Sequence, residues 1–145
     1  MTTGTSVRIT TAQREGHAIR VRLRNLAEAV VDEQYRRRPD LEARYGPGGQ
    51  AKCVQDTEHT LRFLAASVEV GQTKVFADYF QWAVRVMAAH RVAPEDAVEN
   101  LRLVAAVLRD LLPPEVAAAA QAHVDAALLR VMPAASTGGS APSRS

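Results

Sequence analysis

Residues 51–71 read AKCVQDTEHTLRFLAASVEVG, and this stretch decides what kind of fold the chain can adopt. We predict one long helix over residues 50–70, because Gly71 is a natural left-handed cap at its end. A helix of this length would lie at the centre of a chain of 145 residues. The rest of the chain is therefore interpreted outward from it.

Helical patterns and helix breakers alternate on both sides of this segment. Apolar residues between Ile19 and Val30 recur in steps of four, three and four, which predicts a first helix over residues 11–37. Pro39 ends it, a short helical turn follows, and the GPGG sequence at 46–49 forms a loop. After Gly71, helical spacing continues to the end of the aromatic-rich segment QTKVFADYFQWAVRVMAAH.

Prolines mark the boundaries of the remaining helices. Pro94, followed by two acidic residues, is typical of a first helical turn. That helix ends at Pro113, and a last one runs from Pro114 to Pro133. We therefore predict an all-α domain of five to seven helices over residues 11–133, a flexible N-terminus over 1–10 and a disordered tail over 134–145. Periodicity alone does not choose between a bundle and a globin.

Composition excludes several classes of function. Eighteen basic and sixteen acidic residues give a net charge of +2, which is a poor basis for binding nucleic acid, and the run Arg36, Arg37, Arg38 is interpreted as a solvated helix end. The sequence contains neither a signal peptide nor an apolar stretch of membrane-spanning length. The single cysteine excludes an intramolecular disulfide and agrees with a reducing compartment. We expect a cytoplasmic protein with no membrane association.

The common catalytic motifs are missing from the sequence. There is no phosphate-binding GxxxxGK loop, no HExxH and no nucleophilic serine elbow. The four histidines, at positions 17, 59, 90 and 123, are not paired at metal-ligand spacing. We therefore expect neither enzymatic turnover nor a metal site.

One face of the central helix carries the residues with chemistry. Cys53 and Asp56 are three residues apart, so thiol and carboxylate project from the same side, and Thr60 and Phe63 continue that face. A pocket lined by it would offer a nucleophilic sulfur, an anionic acceptor and an aromatic wall. The simpler interpretation is a small buried cysteine beside a solvated aspartate.

The same stretch resembles the helix of phycobiliproteins that carries their bilin, which is an open-chain tetrapyrrole. The resemblance rests on KCVQD at 52–56, on Leu61 and Arg62, and on the small apolar run into Gly71. AEAVVDEQYRRRPDL before it and AHRVAPEDAVENLRLV after it extend the resemblance in the same order along the chain. It implies a globin-like fold, with Cys53 in the position of the bilin-linking cysteine and Asp56 in the position that accepts hydrogen bonds from the pyrrole nitrogens.

The chain also departs from that family. Gln55 replaces the usual arginine that pairs with a bilin propionate, and Glu58 and His59 replace a tyrosine-rich stretch. Lys52 or Arg62 would then have to pair with the propionate. The loop before the cysteine is short, and the long N-terminal helices through which antenna subunits dimerise are missing. These differences favour the bilin-biosynthesis-associated relatives over light-harvesting subunits.

The resemblance therefore predicts a bilin-binding or carrier protein, or an accessory protein of a bilin enzyme, which is not itself an enzyme. Covalent attachment through Cys53 is left open. A bilin reductase or haem oxygenase is the expected partner, and a homodimer is a further possibility. The predicted binding residues are Cys53, Asp56, Lys52, His59, Arg62 and Phe63.

Two alternatives remain. A haem-binding globin-type sensor would use His90 or His59 as the iron ligand. A ligand-free interaction scaffold would use the aromatic run Phe76, Tyr79, Phe80 and Trp82 as its partner surface. Core packing is the favoured interpretation of the first three, and Trp82 fits either.

Overall fold

The computed structural model describes residues 9–140, and it describes the side chains of residues 9–132. Residues 1–8 of the predicted flexible N-terminus and residues 141–145 of the predicted tail lie outside the described residues. The described part folds into seven helices and contains no strand, which confirms the prediction of an all-α chain. The helices are α1 (Thr11–Arg20), α2 (Leu23–Arg37), α3 (Asp40–Tyr45), α4 (Gly49–Val70), α5 (Thr73–Ala89), α6 (Pro94–Leu111) and α7 (Pro114–Ser140).

Several helix boundaries follow from local sequence signals. Thr10 and Gln13 form a capping box at the start of α1, in which each side chain accepts a hydrogen bond from the other residue's backbone N–H. Gly71 ends α4 in the left-handed conformation, with φ of 70°. Pro94 begins α6 as predicted, and Pro39 follows the end of α2.

The prediction of a single helix over residues 11–37 is wrong. The chain leaves helical geometry at Val21 and Arg22, and Arg22 has φ of −128° and ψ of 24°. The break lets α1 pack on α4 and α7 while α2 packs on α4 and α6. One straight helix could not reach both sets of neighbours, so tertiary packing overrides the continuous apolar pattern.

The predicted end of the last helix at Pro133 is also wrong, because α7 continues to Ser140. A proline inside a helix removes one backbone hydrogen bond and kinks the helix, but the helix can continue beyond it. Two alanines follow Pro133, and alanine has the highest helix propensity. The predicted disordered tail therefore begins, up to Ser140, as helix.

Helix α4 is central to the packing, because it contacts α1, α2, α5 and α7. Its apolar face contributes buried leucines and small residues to one continuous core, and α5 adds Phe76 and Phe80, which are both fully buried as predicted. Trp82 of α5 remains 55% exposed. None of the described helices combines the length and the apolar character that crossing a bilayer requires.

Candidate ligand-binding site

A cleft of about 380 Å³ opens beside the N-terminal half of α4. Helices α2, α3, α5 and α6 supply its other walls. Most of its floor is buried, with Thr57, Phe80 and Ala97 all less than 6% exposed. The residues that line the cleft include Gln34, Tyr35, Leu41, Tyr45, Pro47, Lys52, Cys53, Asp56, Thr57, Thr60, Phe80, Met87, His90, Asp96 and Asn100.

A second depression, a groove of about 310 Å³, adjoins the cleft. Asp56 and Met87 line both depressions, so these two residues form the boundary between them. The groove continues along α4 and α5 and is lined by Asp56, His59, Phe63, Tyr79, Trp82, Ala83, Val86 and Met87. Together the two depressions make an elongated site with a carboxylate in its middle.

Cys53 lies half-buried in the wall of the cleft, with Sγ 3.8 Å from Nδ2 of Asn100. Burial raises the pKa of the Cys53 thiol to about 11, and the charges of Asp56 and Asp96 add to this effect. The thiol is therefore protonated near neutral pH. A protonated thiol is a weak nucleophile, so the site does not activate Cys53 for addition to a ligand.

Asp56 is the junction residue of the site and is paired with Lys52 one helical turn earlier. Lys52 Nζ donates to Asp56 Oδ1 at 2.7 Å, and the side chains are 67% and 28% exposed. An exposed i,i+4 ion pair contributes only a few tenths of a kcal/mol, roughly 0.3–0.5. A ligand could therefore replace this pair at little cost, with Lys52 available to an anion and Asp56 to a hydrogen-bond donor.

The groove has an aromatic wall. The rings of Phe63 and Tyr79 stack with centroids 4.0 Å apart and an interplanar angle of 8°. Trp82 lies next to Tyr79 at a centroid distance of 6.1 Å. Burial, with the nearby Asp56 carboxylate, raises the pKa of Tyr79, so its hydroxyl stays a hydrogen-bond donor. A flat apolar ligand would find a stacking surface here.

Residues 38–48, which we call the strap, cover one side of the cleft. Leu41, Tyr45 and Pro47 line the cleft from this side. The strap is fixed to the start of α6 by the buried carboxylate of Asp96, which is 5% exposed. Tyr45 donates its hydroxyl proton to Asp96 Oδ2 at 2.5 Å and accepts the Ala93 N–H at 3.1 Å.

Two arginines of the strap reinforce this contact. Arg38 Nη1 lies 3.2 Å from Asp96 Oδ1, and Arg44 Nη1 lies 3.3 Å from Oδ2. Arg38 also pairs with Asp40 and Glu99, so it is not the solvated helix end that the sequence predicted. Arg36 and Arg37, by contrast, are exposed and pair with Glu33 on the surface.

His90 lies at the end of α5 and lines the cleft. Its Nδ1 is 2.9 Å from the Val86 carbonyl oxygen. A carbonyl oxygen can only accept, so Nδ1 is the donor in this hydrogen bond and Nε2 takes no part in it. This is the arrangement in which an imidazole can bind a metal through Nε2.

The structure brings most of the predicted binding residues to the elongated site. Lys52, Cys53 and Asp56 line the cleft, and Asp56, His59 and Phe63 line the groove. Arg62 is exposed on α4 and lines neither depression. The sequence predicts Lys52 or Arg62 as the partner of a ligand carboxylate. Of these two residues, only Lys52 lies at the site.

Polar residues of the cleft that the sequence prediction does not include are, among others, Gln34, Tyr45, Asp96 and Asn100. The sequence predicts for Asp96 only a place in the first turn of α6, whereas Arg38 and Tyr45 contact it across the fold. Its position in the first helical turn gave no sign that the residue is buried. Gln34, Tyr45 and Asn100 come from three different helices, so no local sequence pattern indicates that they share a cleft.

Among the described residues, no group of three or more histidine, cysteine, aspartate or glutamate side chains is arranged to hold a metal ion. Comparison of the chain with protein-family models finds no match. Comparison with curated proteins finds no similar sequence either.

Proposed function

We propose that this protein binds a linear tetrapyrrole non-covalently, in the cleft and the groove that continues from it, within a phycobiliprotein-type globin fold. In this proposal it acts as a bilin carrier or as an accessory protein of a bilin reductase or haem oxygenase, and it is neither an enzyme nor an antenna subunit. The observation that carries the proposal is the position of Asp56, in the middle of an elongated, largely apolar site.

The shape and polarity of the site support this ligand class. The cleft volume of about 380 Å³ is within the range of small-molecule sites, roughly 300–1,000 Å³. A bilin is longer than such a cleft, and the adjoining groove offers the additional length. The outer rings of a bilin are flat and carry apolar alkyl or vinyl substituents, which suits Phe80 at one end and the Phe63–Tyr79 stack at the other.

The polar groups of the site also match those of a bilin. The inner pyrrole nitrogens of a bilin carry N–H groups, and a carboxylate such as Asp56 is a strong acceptor for them. Lys52, on the rim, is suited to a propionate. The raised pKa of Cys53 supports a non-covalent complex, because a thioether bond requires a reactive thiolate.

Co-expression with haem oxygenase and a bilin reductase tests the proposal. We expect a coloured protein whose pigment is released completely by acid urea, and a Cys53→Ala variant of unchanged colour. Asp56→Asn should weaken pigment binding about tenfold or more, since it removes the charged acceptor. Asp78→Asn is the control, because Asp78 forms an i,i+4 pair with Lys74 outside the site, together with a second pair to Arg130 of α7.

A protein that remains colourless when pigment is supplied would overturn the proposal. It would then favour the interaction scaffold, with the exposed Trp82 and Phe63 as its contact surface. Pigment that survives acid urea in the wild type, but not in Cys53→Ala, would instead demonstrate covalent attachment.

The orientation of His90 favours haem as a second candidate. Nδ1 donates to the Val86 carbonyl, which leaves Nε2 able to bind iron. A Soret band after addition of haem that is lost in His90→Ala, and retained in His17→Ala on the exposed face of α1, would support it.

A further inference from the structure

Asn100 of α6 lies at the floor of the cleft and is bonded to two other helices. Its Nδ2 is 2.9 Å from Oε1 of Gln34 and 3.1 Å from Oγ1 of Thr57, with Cys53 Sγ more distant at 3.8 Å. The nitrogen end of the amide is therefore directed at α2 and α4.

The neighbours of Asn100 determine which end of the amide carries the nitrogen. Gln34 is 2% exposed, and its Nε2 donates to the Asp96 carbonyl oxygen at 3.1 Å and to Glu99 Oε1 at 3.2 Å. Oε1 of Gln34 is thus the atom that meets Asn100, and it can only accept. A flipped Asn100 would place two oxygens in contact, so the observed orientation is the stable one.

This orientation leaves one acceptor without a partner. Asn100 Oδ1 accepts no hydrogen bond within residues 9–132, and no side-chain polar atom that is buried there lacks a partner. Oδ1 is therefore not completely buried, and the residue that carries it lines the cleft. Thr57 cannot supply a donor to it, because its hydroxyl proton is given to the Cys53 carbonyl at 2.7 Å.

We infer that Asn100 determines the ligand specificity of the cleft, by accepting a hydrogen bond from an N–H group of the ligand. With Asp56 on α4 and Asn100 on α6, the cleft holds two acceptors from different helices, and it selects elongated ligands that carry at least two N–H donors. This inference rests on the proposed function, because a linear tetrapyrrole is a ligand of that class. A haem, whose four nitrogens are bound to iron, offers no such donor.

Titration with biliverdin tests the role of Asn100. We expect the dissociation constant to rise about tenfold in Asn100→Leu, which is the loss expected for one buried hydrogen bond left unmade. Asn25→Leu is the control, because Asn25 is the chain's other asparagine and is exposed on α2. Urea unfolding of both variants shows whether a loss of biliverdin affinity comes from misfolding.

A bilin methylated on one pyrrole nitrogen provides a second test. Wild type should bind it more weakly than biliverdin, and Asn100→Leu should discriminate less between the two. Equal binding of biliverdin by wild type and Asn100→Leu would overturn the role of Asn100 and leave the proposed function intact. Absence of biliverdin binding to the wild type would overturn both. If Asn100→Leu does not fold, equal affinity of the wild type for the two bilins would still refute the inference.

Discussion

The thiol of Cys53 combines a central position with low reactivity. It lies in the wall of the cleft, where burial raises its pKa to about 11 from an ordinary value of 9.0. The difference of two units means that about one hundredth of the usual thiolate is present at any pH well below 9. Position and reactivity are therefore separate properties of this residue.

We expect iodoacetamide to alkylate Cys53 about a hundredfold more slowly in the folded protein than in urea at pH 8. The rate in the folded protein should rise with pH until about 11, because the raised pKa keeps the thiol protonated up to that value. Mass spectrometry of the intact chain measures the reaction unambiguously, since Cys53 is the single cysteine. Equal rates in the folded and unfolded chain would contradict the prediction.

At the scale of elements, the strap depends strongly on one side chain. Tyr45 bonds both the Asp96 carboxylate and the Ala93 backbone N–H, and these two groups belong to the start of α6. Gly46, with φ of 76°, turns the chain immediately after α3. Tyr45 therefore holds a short helix whose own hydrogen bonds are few.

We expect Tyr45→Phe to lower the free energy of unfolding by about 1.5–3 kcal/mol, the usual contribution of a hydrogen bond to a charged group. Hydrogen exchange over residues 40–48 should accelerate more than exchange over the rest of the chain. Tyr35→Phe is the matched control, because Tyr35 lines the same cleft but its hydroxyl bonds no described side chain. Equal effects of the two substitutions would refute this account of the strap.

The contact between α1 and α4 depends on Gly16. A Cβ at this position would lie 2.5 Å from the Ala65 carbonyl oxygen and would also overlap Glu69. We expect Gly16→Ala to destabilise the fold by about 1–3 kcal/mol in urea unfolding, since a backbone atom cannot move aside easily. Gly48→Ala should cost much less, because nothing lies within 4 Å of its added Cβ.

Elements that have local signals were predictable, and elements set by tertiary contacts were not. Gly71 and Pro94 predicted the end of α4 and the start of α6, because caps act within one turn of helix. The break at Val21 and Arg22 has no such signal, because it depends on the packing of α1 and α2 against different neighbouring helices. Pro133 predicted the end of α7, but the helix continues to Ser140.

Candidate site residues follow the same division. Cys53 and Asp56 could be paired from sequence because both belong to one face of one helix. Gln34 and Asn100 meet across α2 and α6, and no local pattern relates residues so far apart in sequence.

At the scale of the whole molecule, one buried polar contact connects three helices. Ser67 of α4 donates to the Gln72 carbonyl at 2.7 Å and accepts the Phe76 N–H of α5 at 3.0 Å. Nδ1 of His123 of α7, which is 6% exposed, lies 2.7 Å from the same hydroxyl and must therefore be the donor. The His123 imidazole thus ties α7 to α4 and α5 through this hydroxyl.

The burial of the His123 imidazole gives the fold a defined dependence on pH. Burial lowers the pKa of His123 below its ordinary value of 6.5, so the unfolded chain binds a proton more readily than the folded one. The contribution of His123 is therefore complete above pH 6.5 and is lost as the pH falls below it. The slope cannot exceed about 1.4 kcal/mol per pH unit, which corresponds to one proton.

The free energy of unfolding should fall between pH 7 and pH 5, and we expect this fall to be smaller in His123→Gln than in wild type. His17→Gln is the control, because His17 is exposed on α1. Urea unfolding at both pH values measures the difference, and identical pH profiles for wild type and His123→Gln would contradict the prediction.

Trp82 has a practical consequence for the study of this protein. It is the chain's single tryptophan, and it lies at the rim of the groove beside Tyr79. Its ultraviolet emission therefore comes from one known location, and a ligand that absorbs in the near ultraviolet would quench it by energy transfer when it enters the groove. The chain thus contains its own fluorescent reporter, and occupancy can be followed without attaching a dye.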